Sequence, residues 1–98
     1  MNDILKYNFI NQLKKLPKIQ TIWLFGSRAR KDHNEKSDID LAISCSNASE
    51  NDWLEINEII ENADTLLKID IINFDKLKQS SPLKESILKQ GIKIYEKL

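Results

Sequence analysis

The chain has 98 residues, 41% of them apolar, with 15 basic and 15 acidic side chains and a formal net charge of zero. That size and apolar share predict a single domain over residues 1–98 with one modest core, and the balanced charge gives no case for bulk capture of nucleic acid or of a membrane surface. The lone cysteine, Cys45, excludes an internal disulfide and fits a cytoplasmic, reducing setting.

The N-terminal residues have polar side chains throughout their length and lack the apolar segment of a signal peptide. No apolar run approaches the roughly 20 residues of a membrane span. Residues 3–16 read as a helix, with Leu5, Phe9, Leu13 and Leu16 on one face. Pro17 ends it. Residues 19–25 are apolar nearly throughout and predict a strand in the middle of a sheet. Residues 27–32 predict a short helix and 33–37 a polar loop. Residues 39–45 predict a second strand, with Asp38, Asp40, Ala42 and Ser44 on one face and Ile39, Leu41, Ile43 and Cys45 on the other.

A loop over 46–51 offers helix caps. Residues 52–63 predict a helix with Trp53, Ile56, Ile60 and Ala63 facing inward. Residues 67–74 predict a third strand, rich in Ile and carrying Asp70 in its middle. Ser81 and Pro82 mark the start of a last helix, and Gly91 is expected to end it in a left-handed cap. Residues 92–95 predict a short fourth strand. The order is α-β-α-β-α-β-α(-β), which argues for one sheet covered by helices.

Chemistry concentrates in residues 26–40. Gly26 is one of two glycines and can bring backbone N–H groups close to an anion. Ser27 adds a hydroxyl donor. Arg28 and Arg30 are the only arginines in a chain that otherwise uses Lys. Arg28 is a candidate to face a phosphate or a partner acid, because the guanidinium forks onto such groups; both arginines also read as solvated helix charges. Asp38 and Asp40 leave one face of a strand that ordinarily disfavours Asp. Such a pair repels unless a cation sits between, and Mg²⁺ takes one or two carboxylates together with substrate phosphates. Asp70 lies inside the third strand, where an unpaired charge is expensive. Its alternatives are a third carboxylate beside Asp38 and Asp40, or an exposed edge residue paired with Lys68. Asp75 is the fallback third acid. His33 reads as a solvated loop residue, Cys45 and Trp23 as core, and Tyr7 and Tyr95 as packing residues.

Gly26-Ser27, ten residues, then Asp38-x-Asp40 resembles the motif of the DNA polymerase β-like nucleotidyltransferase superfamily. The run GSRARKDHNEKSDIDLAI is most similar to its minimal (MNT) members. The chain departs from their usual pattern at Lys31, where Gly is common. The resemblance implies an α/β (α+β) fold: a mixed, twisted sheet flanked by helices, with the third acid on a later strand. It implies catalytic and metal-holding roles for Asp38, Asp40 and Asp70, and a nucleotide site at Gly26, Ser27 and Arg28. Two Mg²⁺ ions (Mn²⁺ as an alternative) would act with ATP as substrate.

Larger members use an extra domain to hold their acceptor, for which these residues leave no room. Minimal members are similar to the antitoxins of HEPN–MNT toxin–antitoxin pairs, which implies AMP transfer to a tyrosine of a helical HEPN ribonuclease encoded by a neighbouring gene. The alternatives are a nucleotide-binding module that neutralises its partner by contact alone, and the catalytic subunit of a small-molecule nucleotidyltransferase. No membrane and no direct nucleic-acid partner is expected.

Overall fold

The computed structural model of the chain describes residues 3–30 and 36–97. The expected N-terminal helix is interrupted. A 3-10 turn, Asp3–Lys6, is followed by α1, Asn8–Lys14, with Tyr7 between them in an extended conformation (φ −79°, ψ 136°). The cause lies far along the chain. The backbone N–H groups of Asn8 and Phe9 donate to the Asp64 carboxylate at 2.9 and 3.2 Å. Asp64 thus accepts from the free donors that every helix start exposes, and Tyr7 must turn aside to present them. On the inward face Phe9 and Leu13 are buried and Leu5 and Leu16 partly so, while Ile4 and Ile10 are fully enclosed as well.

This cap gives α1 a pH dependence. The Asn8 N–H first, and then that of Phe9, hold the Asp64 carboxyl below its ordinary value of 3.8. A depressed folded-state value stabilises at pH above 3.8, and that stabilisation is lost as pH falls through the lowered value. Asp64→Ala is therefore expected to lower the melting temperature at neutral pH and to flatten the acid limb of the stability profile. Thermal melts from neutral to strongly acidic pH check it, and parallel profiles for the two proteins would count against the cap.

Four strands form one sheet in the order β3-β2-β1-β4: β1 is Ile19–Phe25, β2 Ile39–Cys45, β3 Ile69–Asn73 and β4 Ile92–Glu96. β1 is antiparallel to both β2 and β4, whereas β2 and β3 are parallel. The sheet is mixed, as expected, and the apolar β1 lies in its interior. The parallel pair needs a crossover, which α3, Glu50–Glu61, supplies. Its start is set by a capping box: the Ser49 hydroxyl accepts from the Asp52 N–H at 3.3 Å, and the Ser49 N–H donates to Asp52 Oδ2 at 2.8 Å. That box moves the helix two residues earlier than the apolar spacing suggests. β3 is shorter than expected because Asn73 caps a 3-10 turn, Phe74–Lys76, through the Asp75 N–H.

The last helix, α4, is Pro82–Gln90, capped by the Ser81 hydroxyl on the Lys84 N–H at 3.3 Å. Gly91 does end it, but not in the left-handed conformation expected, since its φ is −67°. A side chain is excluded there for another reason: a Cβ would collide with the Ile87 carbonyl oxygen.

The two faces of the sheet differ. Ile22, Leu24, Ile39, Leu41 and Ile43 point toward α1 and α3 and make the main core with Phe9, Ile10, Leu13 and Ile56. On the other face Trp23, Ala42, Phe74 and Ile87 form a smaller cluster. There Trp23 stacks on Phe74 with centroids 4.3 Å apart, and Ile87 brings α4 down on the sheet. Among the described residues no helix is long and apolar enough to cross a membrane.

Candidate active site

The face under α4 carries the acids. Phe25 of β1 sits opposite Asp40 of β2, and Asp40 sits opposite Asp70 of β3. Side chains alternate along a strand, so Asp40 and Asp70 leave the same face as Ala42 and Ile72. They lie at the N-terminal ends of β2 and β3, whereas Phe74, which anchors the small cluster, follows the far end of β3. Asp38 is exposed just ahead of β2.

Because Phe25 is opposite Asp40, the next residue, Gly26, arrives directly beside that carboxylate. Its φ is +75°, a conformation natural to glycine. A Cβ on Gly26 would collide with Asp40 Oδ2, so the turn and the acid fit together only with hydrogen at this position. The Gly26 carbonyl accepts from the N–H groups of Ala29 and Arg30 at 3.1 and 3.2 Å. This starts α2, Ser27–Arg30. The rest of the expected short helix and most of the loop, with Lys31 and His33, lie outside the described residues.

The neighbouring acids act on Asp40. The Asp40 carboxyl is raised above its ordinary 3.8, first by partial burial, then by the negative charges of Asp70 and Asp38, with Lys68 opposing weakly. Asp70 stands opposite Asp40 across the β2–β3 pair, so its charge falls on the Asp40 carboxyl. Both expectations for Asp70 meet here. It stands beside Asp40, and on its edge strand it also lies 3.8 Å from Lys68 Nζ, with the two side chains 46% and 69% exposed. So open an ion pair contributes little. Asp75 goes elsewhere. It accepts from the Ser44 hydroxyl at 2.8 Å and the Cys45 N–H at 2.9 Å, at the C-terminal end of β2.

An oxygen-only donor set of clustered carboxylates suits a hard divalent cation. Among the described residues no three acidic, His or Cys side chains already converge on one point as ligands. Asp38, Asp40 and Asp70 are nevertheless oxygen donors of the kind such an ion takes.

Arg28 is 2% exposed. Its Nε and Nη2 donate to the Ser37 carbonyl at 3.2 and 3.0 Å, and Nε also to the Asp38 carbonyl at 3.3 Å. Arg30 is exposed at the end of α2. The sequence pointed Arg28 toward a phosphate or an acid; these contacts with main-chain carbonyls nine and ten residues away were not foreseen. An open groove of about 560 Å³ between α3 and the edge of β3, lined by Ser49, Trp53, Leu54, Ile71 and Lys76, includes none of the three acids.

Cys45 is half-buried, and its thiol is pushed up to about 11, chiefly by burial and then by the charges of Asp75 and Asp52. Relative to the ordinary 9.0 its thiolate is about a hundredfold rarer at pH below both values. Greater nucleophilicity of a more basic thiolate offsets about tenfold of that. Alkylation by iodoacetamide at mildly alkaline pH is expected to run about tenfold slower than for a cysteine in an unfolded peptide. A rate equal to the peptide's would contradict the buried setting.

The family model "Polymerase beta, Nucleotidyltransferase" matches residues 8–98. A comparison with curated proteins finds no match. Among solved structures, the chain is similar to a toxin–antitoxin crystallised with AMP-PNP, with a TM-score of 0.63 and 21% identity over 92% of this chain and 73% of the other. It is similar to the toxin–antitoxin MntA–HepT, with a TM-score of 0.59 and 21% identity over 92% and 69% of the two chains. It is also similar to a protein of Sulfolobus solfataricus assigned as a nucleotidyltransferase, with a TM-score of 0.57 and 16% identity over 92% and 76%. At these identities the three share the fold.

Proposed function

Because the chain belongs to the polymerase β nucleotidyltransferase family, we propose that it transfers a nucleotidyl group, AMP from ATP, to a hydroxyl of a partner protein. The observation that carries this reading is the meeting of Gly26 with Asp40 and Asp70. A turn that admits only glycine abuts a cluster of acids that repel one another. Fold relatives found as toxin–antitoxin assemblies, one of them with a nucleotide analogue, support a toxin as the partner. We take that partner to be a helical HEPN ribonuclease and the acceptor to be a tyrosine, so that this chain acts as its antitoxin.

Asp38, Asp40 and Asp70 would hold two Mg²⁺ ions, or Mn²⁺, which when bound supply charge neutralisation at the phosphates and lower the acceptor's pKa. Asp70, half-exposed on the edge strand beside Asp40, takes the proton of the acceptor hydroxyl on its carboxylate. The hydroxyl oxygen forms a bond to the α-phosphorus as the α–β phosphoanhydride bond breaks, and pyrophosphate leaves with the electron pair. Gly26 and Ser27 lie where the triphosphate must pass to reach Asp40, and Ser27 offers a hydroxyl donor. Such catalysis is mainly positioning and charge neutralisation, which suits a site made of a rigid turn and strand-borne acids.

Intact-mass analysis of a HEPN-type partner, incubated with this chain, ATP and Mg²⁺, tests the reading. The expected result is a gain of one or more AMP units, absent with Asp38→Ala, Asp40→Ala or Asp70→Ala. A partner silenced by the triple-acid variant without any gain in mass would replace transfer with inhibition by contact.

A further inference from the structure

Asp38 is the one acid of the three that no strand holds. The β2–β3 register begins at Ile39, whose N–H donates to the Lys68 carbonyl at 2.9 Å. Ahead of it, residues 36–38 lie in no strand. Both peptide groups flanking Asp38 are nevertheless fixed. The Ser37 carbonyl, ahead of the Asp38 nitrogen, accepts from two nitrogens of Arg28 at 3.2 and 3.0 Å. The Asp38 carbonyl, ahead of Ile39, accepts from Nε at 3.3 Å. The guanidinium that does this is 2% exposed and belongs to the helix that begins right after Gly26.

A buried cation is costly unless its donors are used, and a planar fork holds its donors in fixed directions where an ammonium on a flexible stem does not. We infer that Arg28 is a positioning residue: it clamps the main chain on both sides of Asp38, and so fixes that carboxylate against Asp40 and the Gly26 turn. This inference rests on the metal-site reading of Asp38 and Asp40. It gives Arg28 a different task from direct phosphate contact.

The test uses the whole purified chain as wild type, Arg28→Lys and Arg28→Met, at a temperature where circular dichroism shows each folded. Mn²⁺ affinity is read from the electron paramagnetic resonance of free Mn²⁺, without nucleotide. ATP affinity is then read at saturating Mn²⁺. Loss of a group that orients a metal ligand typically costs 10- to 100-fold in metal affinity. Both variants are expected to lose about tenfold or more in Mn²⁺ affinity, with Lys no better than Met, while ATP affinity at saturating Mn²⁺ stays near wild type. Unchanged Mn²⁺ affinity with weakened ATP binding, milder for Lys than for Met, would overturn the clamp and make Arg28 a phosphate ligand.

If neither variant folds, the wild type decides. Only Arg28 and Arg30 give arginine ¹⁵Nε–H signals, and a clamp keeps the Arg28 signal slowly exchanging and unmoved when Mg²⁺-ATP is added. A signal that exchanges freely, or shifts on nucleotide binding, would overturn the inference. A wild type that binds no Mn²⁺ would instead sink the metal-site reading beneath it.

Discussion

Replacing Asp40 with asparagine is expected to destroy metal-dependent nucleotide binding and, in the same protein, to raise the melting temperature of the metal-free chain. The two effects have one origin. Asp40 is partly buried and faces the charges of Asp70 and Asp38. That arrangement stabilises a cation and penalises the folded chain without one. Functional sites commonly carry such a cost. Asparagine keeps the volume but removes the charge. Its sign can be followed with pH. A carboxyl raised on folding above 3.8 costs nothing below that value, where it is protonated in both states. The cost grows as pH rises through the raised value, so the advantage of Asp40→Asn should vanish in strong acid and be full at neutral pH. Losing a metal ligand removes several kcal/mol of transition-state stabilisation, on the order of a thousandfold in transfer rate. Calorimetry with Mg²⁺-ATP and metal-free melts across pH check both halves. Equal nucleotide affinity in the two proteins, or a lower metal-free melting temperature for the variant at neutral pH, would show that Asp40 is held by interactions other than these.

Gly26→Ala should act in the opposite sense on stability. At a φ of +75° an L-residue is strained, by about 1–2 kcal/mol. Its methyl group would also meet Asp40 Oδ2. The carboxylate must then swing aside or the turn must open, and either one separates the acids from the residues that follow the turn. A displacement of about 1 Å at a reacting centre can cost about a hundredfold, and that is the expected fall in transfer. Urea unfolding reads the stability loss and partner-mass kinetics read the transfer. A variant that transfers at the wild-type rate would show that the close fit of turn and acid is not used.

Much of this architecture could be read from residue spacing. Strands reveal themselves by runs and alternations of apolar residues, and β1, β2, β3 and β4 were each expected within two residues of where they lie. Asp38, Asp40 and Asp70 stood out because a strand rarely keeps a charge without a use for it. Helix boundaries were less legible where side chains rather than apolar period set them. Ser49 and Asp52 begin α3 two residues early by bonding each other. Nothing local in residues 3–16 shows the break at Tyr7, since the group that requires it is Asp64. Gly91 was recognised as a stop signal, but the physical demand is space beside the Ile87 carbonyl and not a positive φ. Arg28 looked like a phosphate ligand because its chemistry permits that. Its main-chain partners, Ser37 and Asp38, become visible only when the chain returns along β2.

The reach of Asp64 back to α1 has a consequence for how the chain assembles. α1 has seven residues, well below the roughly 12–15 at which even a good isolated helix is marginal in water. Its first turn is completed by a carboxylate 56 positions later. It cannot mature as it leaves the ribosome; it must wait until β1, β2 and α3 have been made and Asp64 has come into place. An early segment of this chain is thus late to settle. In the finished protein the start of α1 is tied to the residues after α3 through Asp64. Amides of Asn8 and Phe9 should therefore exchange with solvent in step with those around Asp64, and ahead of the strands between them.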